Sequence, residues 1–277
     1  MMTTSADDRA ESQKWFTHFS LRSMTALYVS PMWSAQLTKK EKSAISKSIQ
    51  QFQLGEGSKG RRLLDRGKQY SQEADDPFFA AALALFIKEE QQHSRYLAAF
   101  MQSQGIPRVA RHWVDTAFRR LRGLAGLELS LTVLVTAEII AMPYYRALRD
   151  ATGSATLKMI CRRILEDEAA HLRYQSSMLR RVSSRRSPGM QRAGAKLHGQ
   201  FMRGTIALVW IEHRRVFEAA GYDFQRFKEE TLLEFSNWQN LRRQLVRVHA
   251  YSITKGVRSQ AAWKVSTDHL HDASLSD

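Results

Sequence analysis

The sequence predicts an all-α chain whose long helices carry carboxylates and imidazoles on their apolar faces. Three observations lead there. Apolar residues recur at helical spacing through long segments, and no strand-period alternation of comparable strength is found. The step Glu-x-x-His occurs twice, as Glu90–His93 in "FIKEEQQHSRYL" and as Glu168–His171 in "ILEDEAAHLRYQ". A further glutamate lies upstream of each step at similar distance, Glu56 by 34 residues and Glu138 by 30.

Residues 1–20 begin "MMTTSADDRAESQK", polar and partly acidic, and are expected to be loosely ordered. From Lys40 to about Gln72, Ile45, Ile49, Phe52, Glu56 and Leu63 share a helical face. Gly55, Gly57 and Gly60 weaken it, each by about 1 kcal/mol in a helix interior. Asp76 as cap and Pro77 in the first turn start a long helix that "GIP" (105–107) stops near Gln104. A short helix around His112–Leu121 bridges to a third long helix, about Leu127–Asp150. Ser154, in the turn "ATGSAT", caps a fourth that runs to about Arg181. After the loop "SSRRSPG" (183–189), two further helices are expected, about 190–220 and 224–255, split by "AGYD" (220–223). The tail at 266–277 is expected to be flexible. No low-complexity segment or clean break divides the chain. Residues 1–277 therefore read as one all-helical domain, with its bundle over 40–185 and accessory helices over 190–255.

The bulk composition bounds the function. At 43% hydrophobic residues, the 277-residue chain can build a substantial core. The single cysteine, Cys161, excludes an intramolecular disulfide and fits a reducing cytoplasm. The N-terminus lacks the apolar stretch of a signal peptide, and its early acids argue against a transit peptide. No run of about 18 apolar residues is present, so no membrane span is expected. The net charge of +15 favours anionic partners such as nucleic acid, an anionic lipid surface or an acidic substrate; a basic surface without such a partner is the plain alternative. Arg119, Arg120, Arg122, Arg180, Arg181, Arg185 and Arg186 are the best candidates for an anion-facing patch.

On a helix, positions i and i+3 share a face, so each Glu points the same way as its His. Leu83, Phe86 and Leu97 flank the first pair, and Ile164, Leu165 and Leu172 the second, so both pairs sit on apolar faces. A buried carboxylate needs a partner, because burying it unpaired costs several kcal/mol or more. A metal ion supplies one. Two carboxylates and two imidazoles are too few for two divalent ions, and Glu56 and Glu138 complete the set. Glu138 is the one charged residue in "LSLTVLVTAEIIAM", and Glu56 is the only glutamate between Glu41 and Glu73. The pattern is one Glu from each of two helices and Glu-x-x-His from each of two others.

With these residues the chain resembles the ferritin-like di-iron carboxylate superfamily of oxidases and oxygenases, over roughly residues 40–185. That superfamily includes the ribonucleotide reductase small subunit, the soluble methane monooxygenase hydroxylase, soluble acyl desaturases, rubrerythrins and arylamine N-oxygenases. The resemblance implies a ferritin-like four-helix bundle with additional C-terminal helices. It implies two metals held by Glu56, Glu90, His93, Glu138, Glu168 and His171, with Glu90 and Glu168 bridging and Glu56 and Glu138 terminal. Asp65 is the fallback for Glu56, whose surroundings are glycine-rich. An acid precedes each Glu-x-x-His, as in several oxygenase-type members, and Asp167 is expected to orient His93 and Glu89 to orient His171. The extra histidine of arylamine N-oxygenases is replaced by Ile164, and the radical tyrosine of reductase subunits by Leu97. Neither a seven-ligand site nor that radical position is therefore expected.

Carboxylates and imidazoles without thiolate suit iron or manganese. Two iron ions are the first choice, with manganese or a mixed pair open. The expected function is an O₂-dependent oxidase or oxygenase acting on a small organic substrate. Alternatives are iron handling or peroxide scavenging of the ferritin–rubrerythrin kind, and hydroxylation of a substrate carried on tRNA or acyl carrier protein. No Cys-x-x-Cys pair is present for a rubredoxin-type iron, so an external electron donor is implied. A homodimer is compatible with the sequence. Tyr145 and Met142 share the face of Glu138 and can line a pocket, Gly60 can leave room for substrate, and Pro143 removes one backbone bond of the third long helix. Glu212 and His213 are adjacent, diverge on a helix, and are weak ligand candidates.

Overall fold

The computed structural model describes residues 6–27, 29, 35–112, 126–184 and 186–255. Among them lie eight helices and no strand: α1 (Ala6–Ser23), α2 (Lys39–Glu56), α3 (Arg61–Glu73), α4 (Pro77–Ser103), α5 (Leu127–Asp150), α6 (Ala155–Ser183), α7 (Pro188–Ala219) and α8 (Phe224–Lys255). Most of the expected bridge over His112–Leu121, and the expected tail at 266–277, lie outside the described residues.

Side-chain caps fix four of the helix starts. Thr38 and Glu41 form a reciprocal capping box at α2. Asp76 accepts from Phe79 N at α4, Ser154 from Leu157 N at α6, and Ser187 from Met190 N at α7. The face expected to run from Lys40 to Gln72 is split in two. Glu56 ends α2, and Gly60, at φ 56°, opens α3 in the left-handed region where glycine is favoured.

The helices that carry the acids and histidines pack in pairs. α5 makes its most extensive contact with α6, α2 packs on α4, and α4 meets α6. α7 closes over α2 and α5, and α8 over α5 and α6. α5 is long and apolar enough to cross a membrane, against the expectation drawn from uninterrupted apolar runs. The structure buries 67% of its apolar stretch within the protein, because neighbours cover it on several sides.

Of the stretch 1–20, expected to be loosely ordered, residues 1–5 lie outside the described residues and the rest is helical. Residues 6–20 belong to α1, which lies along α4. Trp15 and Phe19, one turn apart, are buried against Tyr174 and Phe86. Buried ion pairs hold the other end. Arg181 donates to Asp76 Oδ2 at 2.8 Å and to Ser12 Oγ, and Arg180 reaches Asp8 and Glu11. These contacts overturn the surface reading of two patch residues: Arg180 is buried against the acids of α1, and Arg181 is buried and paired with Asp76, the cap of α4. Arg186 is paired with Glu128, while Arg119, Arg120, Arg122 and Arg185 lie outside the described residues.

Candidate metal centre

Glu56 arrives from α2, Glu90 and His93 from α4, Glu138 from α5, and Glu168 and His171 from α6. Their side chains converge in the interior. His93, His171 and Glu168 are fully buried and Glu138 nearly so. Two overlapping groups result. Glu56, Glu90, His93 and Glu168 place one ligand atom each within 4.8 Å of one another, and so do Glu90, Glu138, Glu168 and His171. Glu90 and Glu168 belong to both groups, while Glu56 and Glu138 each belong to one. Asp65, the fallback for Glu56, is exposed on α3 and outside both groups.

Both imidazoles turn Nδ1 toward the acids. His93 Nδ1 lies 3.5 Å from Glu168 Oε1, 3.8 Å from Glu90 Oε1 and 4.0 Å from Glu56 Oε2. His171 Nδ1 lies 3.2 Å from Glu168 Oε2 and 2.9 Å from Glu90 Oε1. The last contact is close but out of line, and Glu90 Oε1 has no hydrogen-bond partner. Glu168 Oε1 and His93 Nδ1 also have none. Buried polar atoms are almost always satisfied. Three orphaned donor atoms meeting at one point are the arrangement a cation completes.

The far side of each ring is occupied. His93 Nε2 is 3.1 Å from Asp167 Oδ2, and His171 Nε2 is 2.9 Å from Glu89 Oε2. Each acid directly precedes the glutamate of one motif and reaches the histidine of the other. Such contacts fix the tautomer that leaves Nδ1 free to ligate. The terminal acids have outer partners too. Tyr145 Oη donates to Glu56 Oε1 at 2.5 Å, and Gln175 Nε2 to Glu138 Oε1 at 2.7 Å. Tyr145 is thus a fully buried support for Glu56.

Electrostatics explain why the cluster favours cations. Burial, then the charges of Glu90 and Glu168, push the Glu56 carboxyl well above its usual range, and Glu138 is raised for the same reasons. Burial opposes protonation of both histidines, yet the surrounding acids raise them well above their ordinary value. Glu168 goes down: burial works against it, but the Glu138 carboxyl and the two imidazoles beside it win. Without a metal, the cluster offsets its charge by holding protons, and a divalent cation can take their place.

Several contributors were not foreseen. Arg22 of α1 donates to Asp167 Oδ1 through Nε at 2.6 Å, and Arg163, one turn before Asp167, donates to Oδ2 at 2.9 Å. Burial opposes ionisation of Asp167, but the His93 hydrogen bond and charge, then Arg22, hold it at about 2. Gln175 lies one turn after His171, a spacing that could have revealed it.

A cavity of about 160 Å³ reaches the cluster at Glu56, Glu90 and Glu138. Its walls include Phe52 of α2, Val133, Leu134 and Ala141 of α5, and Val209 of α7. Gln51, His112, Thr205 and His213 supply its polar points. His213 and Glu212 join neither ligating group; His213 Nδ1 is 2.8 Å from Ser48 Oγ, at the cavity wall. Gly60 does not supply the room expected of it: a Cβ there would meet Ile87 at 2.8 Å, so it serves the α2–α3 turn.

No family model and no curated protein matches the chain.

Proposed function

We propose that this chain is a non-haem di-iron oxidase or oxygenase with a ferritin-like bundle, acting on a small organic substrate. The observation that carries the reading is the pair of overlapping ligand groups sharing Glu90 and Glu168, with orphaned atoms at their meeting point. Four carboxylates balance two divalent cations, and the thiolate-free set suits iron, with manganese as the close competitor. When bound, the iron pair supplies electrons to O₂ and the oxidising power directed at the substrate.

The protein's own residues do the rest. Glu56 and His93 would hold one ion and Glu138 and His171 the other, with Glu90 and Glu168 between them. Asp167 and Glu89 keep both Nδ1 atoms presented to the ions. Tyr145 and Gln175 fix the terminal carboxylates. The apolar walls beyond Glu56 and Glu138 offer an organic molecule an approach to the acids. Electrons come from an external donor, since the only cysteine, Cys161, is buried away from any second thiol.

The test is iron loading followed by anaerobic reduction and exposure to O₂. About two irons per chain and stoichiometric O₂ uptake are expected. Uptake of many irons per chain with mineral formation favours storage, and rapid peroxide turnover without substrate favours scavenging.

A further inference from the structure

The two residues directly before the terminal carboxylates stand apart from their surroundings. Gly55 precedes Glu56 and Ala137 precedes Glu138, and both line the cavity. Ala137 is exposed although Thr136 and Glu138 beside it are buried. Gly55 is exposed too, and a Cβ built there meets nothing within 4 Å. A glycine in the last turn of a helix, with open space before it, is not explained by packing or by backbone strain. Both positions leave the approach to a terminal acid unobstructed.

The rest of the cavity restricts what can use that approach. Its volume, about 160 Å³, is close to that of an engineered apolar cavity of about 150 Å³ that takes up benzene. Among its described lining residues none is Lys or Arg, and the charged ones are Glu56, Glu90 and Glu138. An anion would face apolar walls and acids whose charge two divalent cations would only balance, so no net countercharge is left for it, which is costly. Hydrogen bonding is on offer nonetheless. Gln51 lines the cavity and keeps a buried amide nitrogen without a partner.

We propose that Gly55 and Ala137 are the size-determining residues for an uncharged, single-ring molecule of about six to ten non-hydrogen atoms, bearing one hydrogen-bonding group. This rests on reading the acid–histidine cluster as the reaction centre and names the substrate class for it. The +15 charge of the chain then concerns its outer surface, not what enters the cavity.

The test is ligand titration by NMR on zinc-loaded protein, which needs no turnover. Benzyl alcohol is the neutral probe and benzenesulfonate its anionic counterpart. Benzyl alcohol should bind the parent, and benzenesulfonate should bind more weakly by about tenfold or more. Gly55→Leu and Ala137→Leu should each weaken benzyl alcohol by about tenfold or more, and Gly55→Ala by much less. Gly55→Ala also guards against a folding artefact, since alanine is the better helix former. No binding to the parent, equal binding by all four proteins, or preference for benzenesulfonate overturns the proposal. Zinc content of the same samples reports separately on the metal reading: two zincs per chain without benzyl alcohol binding removes the substrate class and leaves the metal centre standing.

Discussion

Asp167 Oδ2 lies 3.1 Å from His93 Nε2, on the side of the ring turned away from the carboxylate cluster. A residue of α6 thereby sets the orientation of a candidate ligand on α4. The same acid is gripped by Arg22 and Arg163, so it is an anion fixed between three nitrogen-bearing groups. Asp167→Asn should retain helicity, since it removes no apolar burial. It should weaken metal binding or activity by about 10–100-fold, the usual result of losing such a partner. Circular dichroism and metal competition with a chelator check the two halves.

The same residue predicts a pH signature in the metal-free protein. Its folded pKa is lowered from 3.8 to about 2. Its contribution to stability is therefore present above the unfolded pKa and is lost as pH falls through the folded one. The stability gap between the parent and Asp167→Asn should be full above about pH 4 and shrink toward about pH 2. Urea midpoints across that window decide it; a gap that stays constant would contradict the assignment.

Glu56 and Glu138 have the opposite sign. Their carboxyls are raised by burial and by Glu90 and Glu168, and both histidines are raised as well. Stability from raised groups is complete below the unfolded pKa and is lost as pH rises through the folded one. Above about pH 5, the metal-free protein should therefore lose stability as pH increases. The metal-loaded protein should not, because cations replace the protons, and metal affinity should rise with pH. Melting temperatures of both forms between about pH 5 and pH 8 test this.

Arg181 makes a stability prediction away from the cluster. It is 5% exposed and pairs with Asp76, which also caps α4 and accepts from Ser12. Removing one member of a buried ion pair leaves the other uncompensated and costs about 3–5 kcal/mol. Arg181→Ala should destabilise the protein by that amount in denaturant unfolding, with metal-to-chain stoichiometry unchanged in the folded fraction.

How much was legible in the sequence depended on whether a residue stood out against its own segment. Glu138 did, because a lone acid in an apolar run is costly to bury and needs an explanation on the spot. The doubled Glu-x-x-His did, because spacing alone puts each pair on one face. Arg22 did not: nothing in "HFSLRSM" announces that its carboxylate lies 145 residues away. The ordering of α1 was hidden for a related reason. Its acids Asp8 and Glu11 resemble solvated charges until Arg180 is seen to be buried beside them. The glycines show the limit most plainly. Gly55 and Gly60 are five positions apart; spacing assigned the room to Gly60, but Ile87 fills that side and the open space lies at Gly55.

Arg22 gives the final prediction, because it joins α1 to the cluster through one shared acid. Its guanidinium spans Asp167 Oδ1, at 2.5 Å from Nη2, and Glu166 Oε2 at 3.2 Å. Its side chain is 26% exposed, so its removal lets water reach Asp167 and leaves Arg163 and His93 still in place. Arg22→Ala should therefore lower metal affinity less than Asp167→Asn does. The two changes should also be far from additive, since residues in one hydrogen-bonded network couple by about 0.5–3 kcal/mol. Metal affinities of the parent, both single variants and the double variant complete the cycle. If the effects simply add, Arg22 anchors α1 without tuning His93, and the route from the N-terminal helix to the ligand is wrong.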